Sequence, residues 1–585
     1  MSTVVIDPVT RIEGHLHIQV ETDASGSVTQ AYSGGTMMRG IEIILRGRDP
    51  REAWAFTQRI CGVCTVVHGL TSVRAVENAL GYTIPTNARH IRNLMMGTQT
   101  VQDHVTHFYQ LASMDWLDVV SASQADPILT SNLQKCTSDW HNNSPEYFAA
   151  VRQKLANFIG TGQLGLFSNA YWGHPAYKLP PEMNLMLFAH WLEALEWQRE
   201  VIRVHAVFGG KNPHPNFAIG GVPCAIHMRP NAAGVLMPST GEEGLDQNGL
   251  DLVQKCISDM REFVAKVYRP DVLALGAHYK DWFGRGEALG NFLVYGDYPQ
   301  DDNADISSNL FVPRGAIIGR DLKNIQRVDL RNPDEVQEFV SSSWYDYSSG
   351  KSSGLHPFAG ETTPHYTGPK VPHDSMDVSK PYSWVKAPRW RGKPMEVGPL
   401  ARMLMMYAKD TQSVRTHVDN ALRDLDLPFS AMYSTMGRML SQSIEAQVTA
   451  DELQVWFNQL TANIAGGDFR THNATLFNPA SWPSSARGIG FSEASRGSLG
   501  HWLTIDNGSI DNYQCVVPTT WNAAPRDAKG QGGAYEKALV GHVLAVPEQP
   551  LEVLRTIHSF NPCMACAVHL YDPLQNETLN VTVSA

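Results

Sequence analysis

The stretches RICGVC (Arg59–Cys64) and PCMACAVH (Pro562–His569) carry two Cys-x-x-Cys pairs, one near each end of a 585-residue chain. If the pairs act together, the fold must bring Cys61 and Cys64 against Cys563 and Cys566 across about five hundred residues of sequence. Thiolates select soft or borderline metals, so four of them suit a tetrahedral zinc site, an iron–sulfur site or a nickel site. Structural zinc usually ties together residues a few tens apart in a small module, and that spacing is absent here. On spacing alone a structural zinc, a redox or merely buried role, and a catalytic metal all stay open. The other four of the eight cysteines, Cys136, Cys224, Cys256 and Cys515, are scattered singly and make no disulfide scaffold.

Working outward, the pattern is helical from Asp49-Pro50 through Gln58, breaks around the first pair, and resumes to Leu80. A break between helices lets both backbone and side chains face a ligand. Toward the N-terminus, Leu16, Ile18 and Val20 alternate with polar neighbours, a turn follows at Ala24-Ser25-Gly26, and Val28 to Tyr32 pairs back as a hairpin. Pro181 to Gly209 has no internal Gly or Pro, and places Leu185, Phe188, Leu192 and Leu195 at helical spacing before a Gly-Gly stop. Further helices are expected over Leu252–Tyr268, Pro399–Leu425 and Ala431–Ala465. Trp282 to Trp390 lacks sustained periodicity and reads as an irregular covering region. Near the C-terminus Asn507-Gly508 separates two apolar runs, a strong hairpin signal. The expected fold is α+β multidomain and predominantly helical, with a central long-helix bundle and small β elements near the N- and C-termini. Its parts would be 1–80, about 85–280, about 281–395, about 396–569 and a short tail, 570–585.

A net charge of −11 without a compensating basic run excludes an ordinary nucleic-acid binder. The composition, 43% hydrophobic and 18% charged, is that of a large globular protein whose surface is in part covered by a partner. No run of about eighteen apolar residues offers a membrane span. MSTVVIDPVTRIEGH lacks a basic region followed by an apolar one, so export would rely on an address carried elsewhere.

The residues around the cysteines narrow the choice, because RICGVC and PCMACAVH resemble the two signature motifs of nickel–iron hydrogenase large subunits of the membrane-bound uptake type. DPVTRIEGH from Asp7, RGIEIILRGRDPR from Arg39, DHVTHFYQL from Asp103, GQLGLFSNAYWGHP from Gly162, GGKNPHPNF from Gly209, APRWRGKPMEVGPLAR from Ala387 and VVPTTWNA from Val516 resemble further family segments in family order. The resemblance implies nickel bound by all four cysteines, with Cys61 and Cys563 terminal and Cys64 and Cys566 bridging to an iron that carries carbonyl and cyanide ligands. It further implies that Glu13 relays protons beside a terminal cysteine. Arg496 would overhang the metals with Asp103 near it, and Thr519 would hydrogen-bond a cyanide. His68 would contact a bridging sulfur. Glu42, the Cys515 carbonyl and His569 would hold a separate magnesium. Read without the family, Glu13 caps a turn or pairs with Arg11, Arg496 and Asp103 form an ordinary buried ion pair, Thr519 serves a turn and His68 packs in the core.

Two positions depart from the family pattern. EASRG at Glu493–Gly497 replaces EAPRG, and NPC at Asn561–Cys563 replaces DPC. Ser495 exchanges a rigid apolar wall for a hydroxyl able to donate to a cyanide, and Asn561 removes a carboxylate that would compensate Arg496. The implied reaction is reversible heterolytic cleavage of dihydrogen, with the proton leaving through Cys563 to Glu13 or, as the competing base, Arg496. The four remaining cysteines are too dispersed for a cluster, so electrons require an iron–sulfur small subunit, through which a membrane cytochrome b is a further partner. Localisation would be the periplasmic face of the cytoplasmic membrane, with export through the small subunit. The tail 570–585 resembles a removable extension cut after His569, although Leu579, Val581 and Val583 alternate as a plain final strand would. A quinone-module subunit of the respiratory complex I type is the rival, and those relatives have generally lost the nickel cysteines.

Overall fold

The computed structural model describes residues 2–38, 40–162, 167, 170–230, 236–238, 244–302, 309–369 and 376–564. Cys566, His569 and the tail 570–585 lie outside the described residues. The N-terminal alternation forms the expected hairpin, β2 (Leu16–Thr22) on β3 (Val28–Gly35), and turns Leu16, Ile18 and Val20 wholly inward. An unanticipated edge strand, β1 (Ser2–Ile6), pairs antiparallel with the free side of β2 in the register Val4↔Val20.

Helix α1 (Val67–Leu80) follows the first cysteine pair and stops at Gly81, whose φ of 73° provides a left-handed end. Helix α2 (Thr86–Thr106) runs on through a π turn, His107–Ala112, into a 3-10 turn, Ser113–Asp115. The long apolar segment becomes α3 (Pro181–Val201), with Pro181 at the first helical position, and a separate short helix, Arg203–Gly209. Helix α4 (Gln247–Phe263) is capped by Asp246 and continues through a π turn to Tyr268. The segment expected as one helix from Pro399 is two, Pro399–Ala408 and Gln412–Asp424, because Asp410 adopts φ 64° between them. Helix α5 (Thr435–Ala465) starts where Ser434 Oγ accepts the Gly437 N–H at 2.9 Å. α5 lies along α2, closely enough that a Cβ on Gly97 would stand 2.8 Å from Leu453 Cδ2. Alanine there would force the overpacking that typically costs about 1–3 kcal/mol.

The C-terminal β element is a three-stranded antiparallel sheet of β4 (Ser485–Ala494), β5 (Gly497–Asp506) and β6 (Ser509–Val516). Asn507 and Gly508 both adopt positive φ, 45° and 79°, as a two-residue hairpin turn requires. Helix α1 lies directly on β4, where a Cβ at Gly490 would fall 1.9 Å from the Thr71 carbonyl oxygen. Helix α6 (Leu551–Ser559) then delivers the chain to the second cysteine motif. Between Trp282 and Trp390 the described strands are only three or four residues long and pair two by two, for example Val336–Phe339 with Ala387–Trp390. The chain is thus predominantly helical, with small sheets toward both ends. No described helix is long and apolar enough to cross a membrane.

Candidate metal centre

A 3-10 turn, Gln58–Ile60, ends the first motif's helix and leaves Cys61 extended (φ −132°, ψ 138°). The chain then curls so that the Val63 and Cys64 amides donate to Cys61 Sγ at 3.3 and 3.1 Å. Two such donors favour the thiolate over the thiol. At the other end of the chain Asn561, at φ 54°, turns the backbone out of α6; asparagine is among the few non-glycine residues that tolerate this region. The Cys563 N–H then donates to Thr519 Oγ1 at 3.1 Å, and the Met564 N–H to the Glu13 carbonyl at 2.7 Å. Glu13 and Cys563 also form a parallel β-bridge.

These local turns bring residues 502 positions apart together, with Cys61 Sγ 3.2 Å from Cys563 Sγ. Among the described residues Cys61, Cys64 and Cys563 form a candidate metal-binding group whose sulfurs all lie within 4.8 Å of one another. All three are at most 3% exposed and none is in a disulfide. Two sulfurs each about 2.3 Å from one ion lie about 3.3 Å apart when the angle between them is near 90°, and about 3.8 Å apart when it is tetrahedral. The 3.2 Å spacing is close to that of two thiolates sharing one ion, and the buried, water-excluded sulfurs suit a soft or borderline metal such as nickel.

Cys563 Sγ donates to Glu13 Oε2 at 3.2 Å. Arg11, the alternative partner for Glu13, spends its guanidinium on Asp115 (2.5 Å) and the Leu111 carbonyl (2.6 Å) instead. Ser495 and Arg496 are the two-residue turn between β4 and β5, since Ala494 pairs with Gly497. From this tip Ser495 Oγ donates to Asp103 Oδ2 at 2.7 Å, and Arg496 Nη1 lies 3.3 Å from the same oxygen. Burial pushes the Asp103 carboxyl up, against the opposing pull of Arg496 and Ser495. Burial alone would loosen the Arg496 proton, but Asp103 and the three cysteines outweigh it and hold that proton far more tightly than usual. Arg496 is for that reason a poor base.

Behind the turn stands Arg402, which the sequence did not single out. All five of its N–H donors are used: Nε and Nη2 on the two oxygens of Glu445, Nη1 on Glu493 (3.0 Å) and the Ala494 carbonyl (2.8 Å), and Nη2 again on the Ser495 carbonyl (3.0 Å). His104 Nε2 meets Glu445 Oε2 at 2.8 Å. The Glu445 carboxyl, which burial would raise, is held down at about 2 by Arg402 and His104.

His68 Nδ1 lies 3.1 Å from His501 Nε2, His501 Nδ1 lies 2.8 Å from the Tyr513 hydroxyl, and that hydroxyl donates to Ser72 Oγ at 2.9 Å. Neither His501 nor Tyr513 was anticipated, because a lone histidine in a strand carries no spacing signal. Glu42 and Cys515 are neighbours, through the Cys515 N–H donating to Glu42 Oε1 at 2.8 Å. Thr362 Oγ1 donates to Glu42 Oε2, and Lys386 Nζ stands 3.7 Å from that oxygen. Asn561 is buried with its side-chain Nδ2 unpartnered among the described residues.

This chain belongs to the nickel-dependent hydrogenase family, whose profile matches residues 39–569; a profile described as HoxL-like matches residues 3–33. It is accordingly a hydrogenase, an oxidoreductase, of the large-subunit kind. It is 50% identical over 588 residues to the uptake hydrogenase large subunit of Bradyrhizobium diazoefficiens, covering 99% of this chain and 97% of that one. It is likewise 50% identical over 586 residues to the hydrogenase-1 large chain of Escherichia coli, with the same coverage. Among solved structures it is similar to the Ni-Fe-Se hydrogenase of D. vulgaris Hildenborough in the reduced state. That likeness has a TM-score of 0.74 and 31% identity, over 97% of this chain and 100% of that one.

Proposed function

We propose that this subunit cleaves dihydrogen heterolytically and reversibly at a nickel–iron centre held by Cys61, Cys64, Cys563 and Cys566, with electrons leaving to an iron–sulfur small subunit. The observation that carries this reading is the buried convergence of Cys61 and Cys563 at 3.2 Å with Glu13 hydrogen-bonded to the second sulfur. When bound, nickel and iron, the latter with carbonyl and cyanide ligands, supply the electrophilic centre that polarises dihydrogen and accepts its electrons. The protein's part is positional and electrostatic. Backbone amides hold the Cys61 sulfur, burial excludes water, and Arg496 keeps a fixed positive charge beside Asp103 and the cysteines without giving up its proton. Cys563 hands the proton to Glu13 Oε2, already within hydrogen-bond reach. Asp103 and Ser495 orient the Arg496 turn, Thr519 positions the Cys563 amide, and His68 orients toward Cys64 through His501.

Glu42, the Cys515 carbonyl and His569 would hold magnesium, for which a carboxylate and a carbonyl are suitable hard donors. The long helices α2, α3, α4 and α5 would act as the bundle that carries the centre, and 570–585 as an extension removed after His569. A membrane cytochrome b reached through the small subunit, and a place on the periplasmic face, complete the reading; its support is the likeness to uptake hydrogenases. Retention of Cys61, Cys64, Cys563 and Cys566 argues against a quinone-module role.

Infrared spectroscopy of the purified complex under dihydrogen tests the reading: one carbonyl band and two cyanide bands are expected. Zinc in place of nickel, with no such bands, would overturn it. Glu13→Gln should abolish hydrogen–deuterium exchange while those bands persist, because the amide keeps the shape and cannot carry the proton.

A further inference from the structure

The contact between Cys563 and Glu13 is made by two arms from opposite ends of the chain, and one buried carboxylate touches both. Asp115 ends the extension of α2 and is fully buried. Its Oδ1 accepts from Arg11 Nη2 at 2.5 Å, and its Oδ2 meets His558 Nδ1 at 2.5 Å. Arg11 stands two residues before Glu13 and holds φ 55°, a conformation uncommon for a residue that is not glycine. His558 stands five residues before Cys563, and its Nε2 lies 2.9 Å from the Thr10 carbonyl of the first arm. Both ring nitrogens of His558 thus face acceptor oxygens, one on Asp115 and one on the Thr10 backbone. Burial would raise the Asp115 carboxyl, but Arg11 and His558 outweigh it and hold it at about 2.

We infer that Asp115 is a positioning residue for proton transfer, fixing the distance between Cys563 Sγ and Glu13 Oε2 by tying the Arg11 arm and the His558 arm to one carboxylate. The inference rests on the reading of Glu13 as the proton acceptor. Its physical basis is that the site residues are not braced on a shared element. Beyond the contacts of Glu13 with Cys563 and the Met564 N–H, Thr10, Arg11, His558 and Asp115 join these arms. A misplacement of about 1 Å is enough to cost roughly a hundredfold in a step that needs alignment. A merely structural ion pair would affect stability and leave the proton step alone.

The test uses the matured complex with its small subunit. Asp115→Ala removes both anchors, whereas Asp115→Asn can still accept from Arg11 through its oxygen and donate from its amide to a neutral His558. For Asp115→Ala the expected result is a fall in kcat of at least about tenfold, with KM for dihydrogen unchanged and a larger solvent deuterium isotope effect. Nickel content and the carbonyl and cyanide bands should stay, while amide exchange at residues 8–14 and 560–564 quickens. Asp115→Asn should restore most of kcat. Glu13→Gln, run beside them, separates the two ideas. If it leaves turnover and isotope effect unchanged, the Glu13 relay itself fails. If it stops turnover while Asp115→Ala keeps the parent kcat and isotope effect, the positioning role alone is overturned. Should Asp115→Ala not accumulate, His558→Gln cuts one arm only, and an unchanged isotope effect there overturns the inference equally.

Discussion

Replacing Arg402 by lysine keeps one positive charge at the same depth and removes the fork geometry. Arg402 satisfies Glu445 twice, Glu493 once and the carbonyls of Ala494 and Ser495, whereas an ammonium has three donors. At least two of these buried acceptors are then left unmet, at about 1–3 kcal/mol each, or about 2–6 kcal/mol together. An unfolding entropy near 2.1 cal/mol/K per residue gives about 1.2 kcal/mol/K for 585 residues, so the midpoint should fall by about 2–5 °C in a cooperative transition. The two carbonyls precede and begin the Ser495–Arg496 turn, so their release also shifts Arg496 against the metal site. Differential scanning calorimetry of the complex reads the first effect, and the frequencies of the active-site infrared bands read the second. A midpoint within about 1 °C of the parent together with unshifted bands would refute the view that Arg402 sets this turn.

Ser495→Ala removes a hydrogen bond that favours the ionised form of Asp103, so the Asp103 carboxyl should rise further above its usual range; carboxyl infrared bands under titration will show it, and no shift would remove Ser495 from that network. Glu445 and Asp115 are both held at about 2, below their unfolded values of 4.5 and 3.8, so the stability they contribute is complete above about pH 4.5 and is lost as pH falls toward 2. Acid unfolding followed by circular dichroism should therefore steepen in that window, and removing Glu445 by Glu445→Gln should flatten it. Mass spectrometry of active enzyme should find His569 as the last residue; an active, nickel-loaded chain still ending at Ala585 would contradict removal of the tail.

Elements with a local periodic signal were legible in the sequence. The alternation of Leu16, Ile18 and Val20 and the Asn507-Gly508 step gave the two hairpins, and the helix expected over Ala431–Ala465 is α5, which starts four residues later at Thr435. Strand β1 escaped because Thr3 to Ile6 does not alternate, and its pairing depends on β2 being present. The break at Asp410 escaped because a single left-handed aspartate leaves no trace in helical spacing. In the site, Cys61, Cys563 and Glu13 came from motifs, and the structure brings them together. Asp115, Glu445 and His501 were not singled out, and Arg402 stood only as the last residue of the APRWRGKPMEVGPLAR segment. Each acts through partners far away in sequence, such as Arg402 on Glu493 and Asp115 on His558, which local spacing does not record.

The parallel bridge between Glu13 and Cys563 joins positions 550 residues apart, which places the centre's closure among the longest loops the chain makes. Loop closure of that length is an entropic cost that earlier, more local structure must first reduce. The N-terminal hairpin and the α1–β4 contact can form without Cys563, but the pocket for a metal cannot close without it. Readiness to bind metal thus waits on the 563–566 motif, so a chain that stops before Cys563 offers only the Cys61–Cys64 half of the site. Correct synthesis is checked by the same geometry that later performs the chemistry.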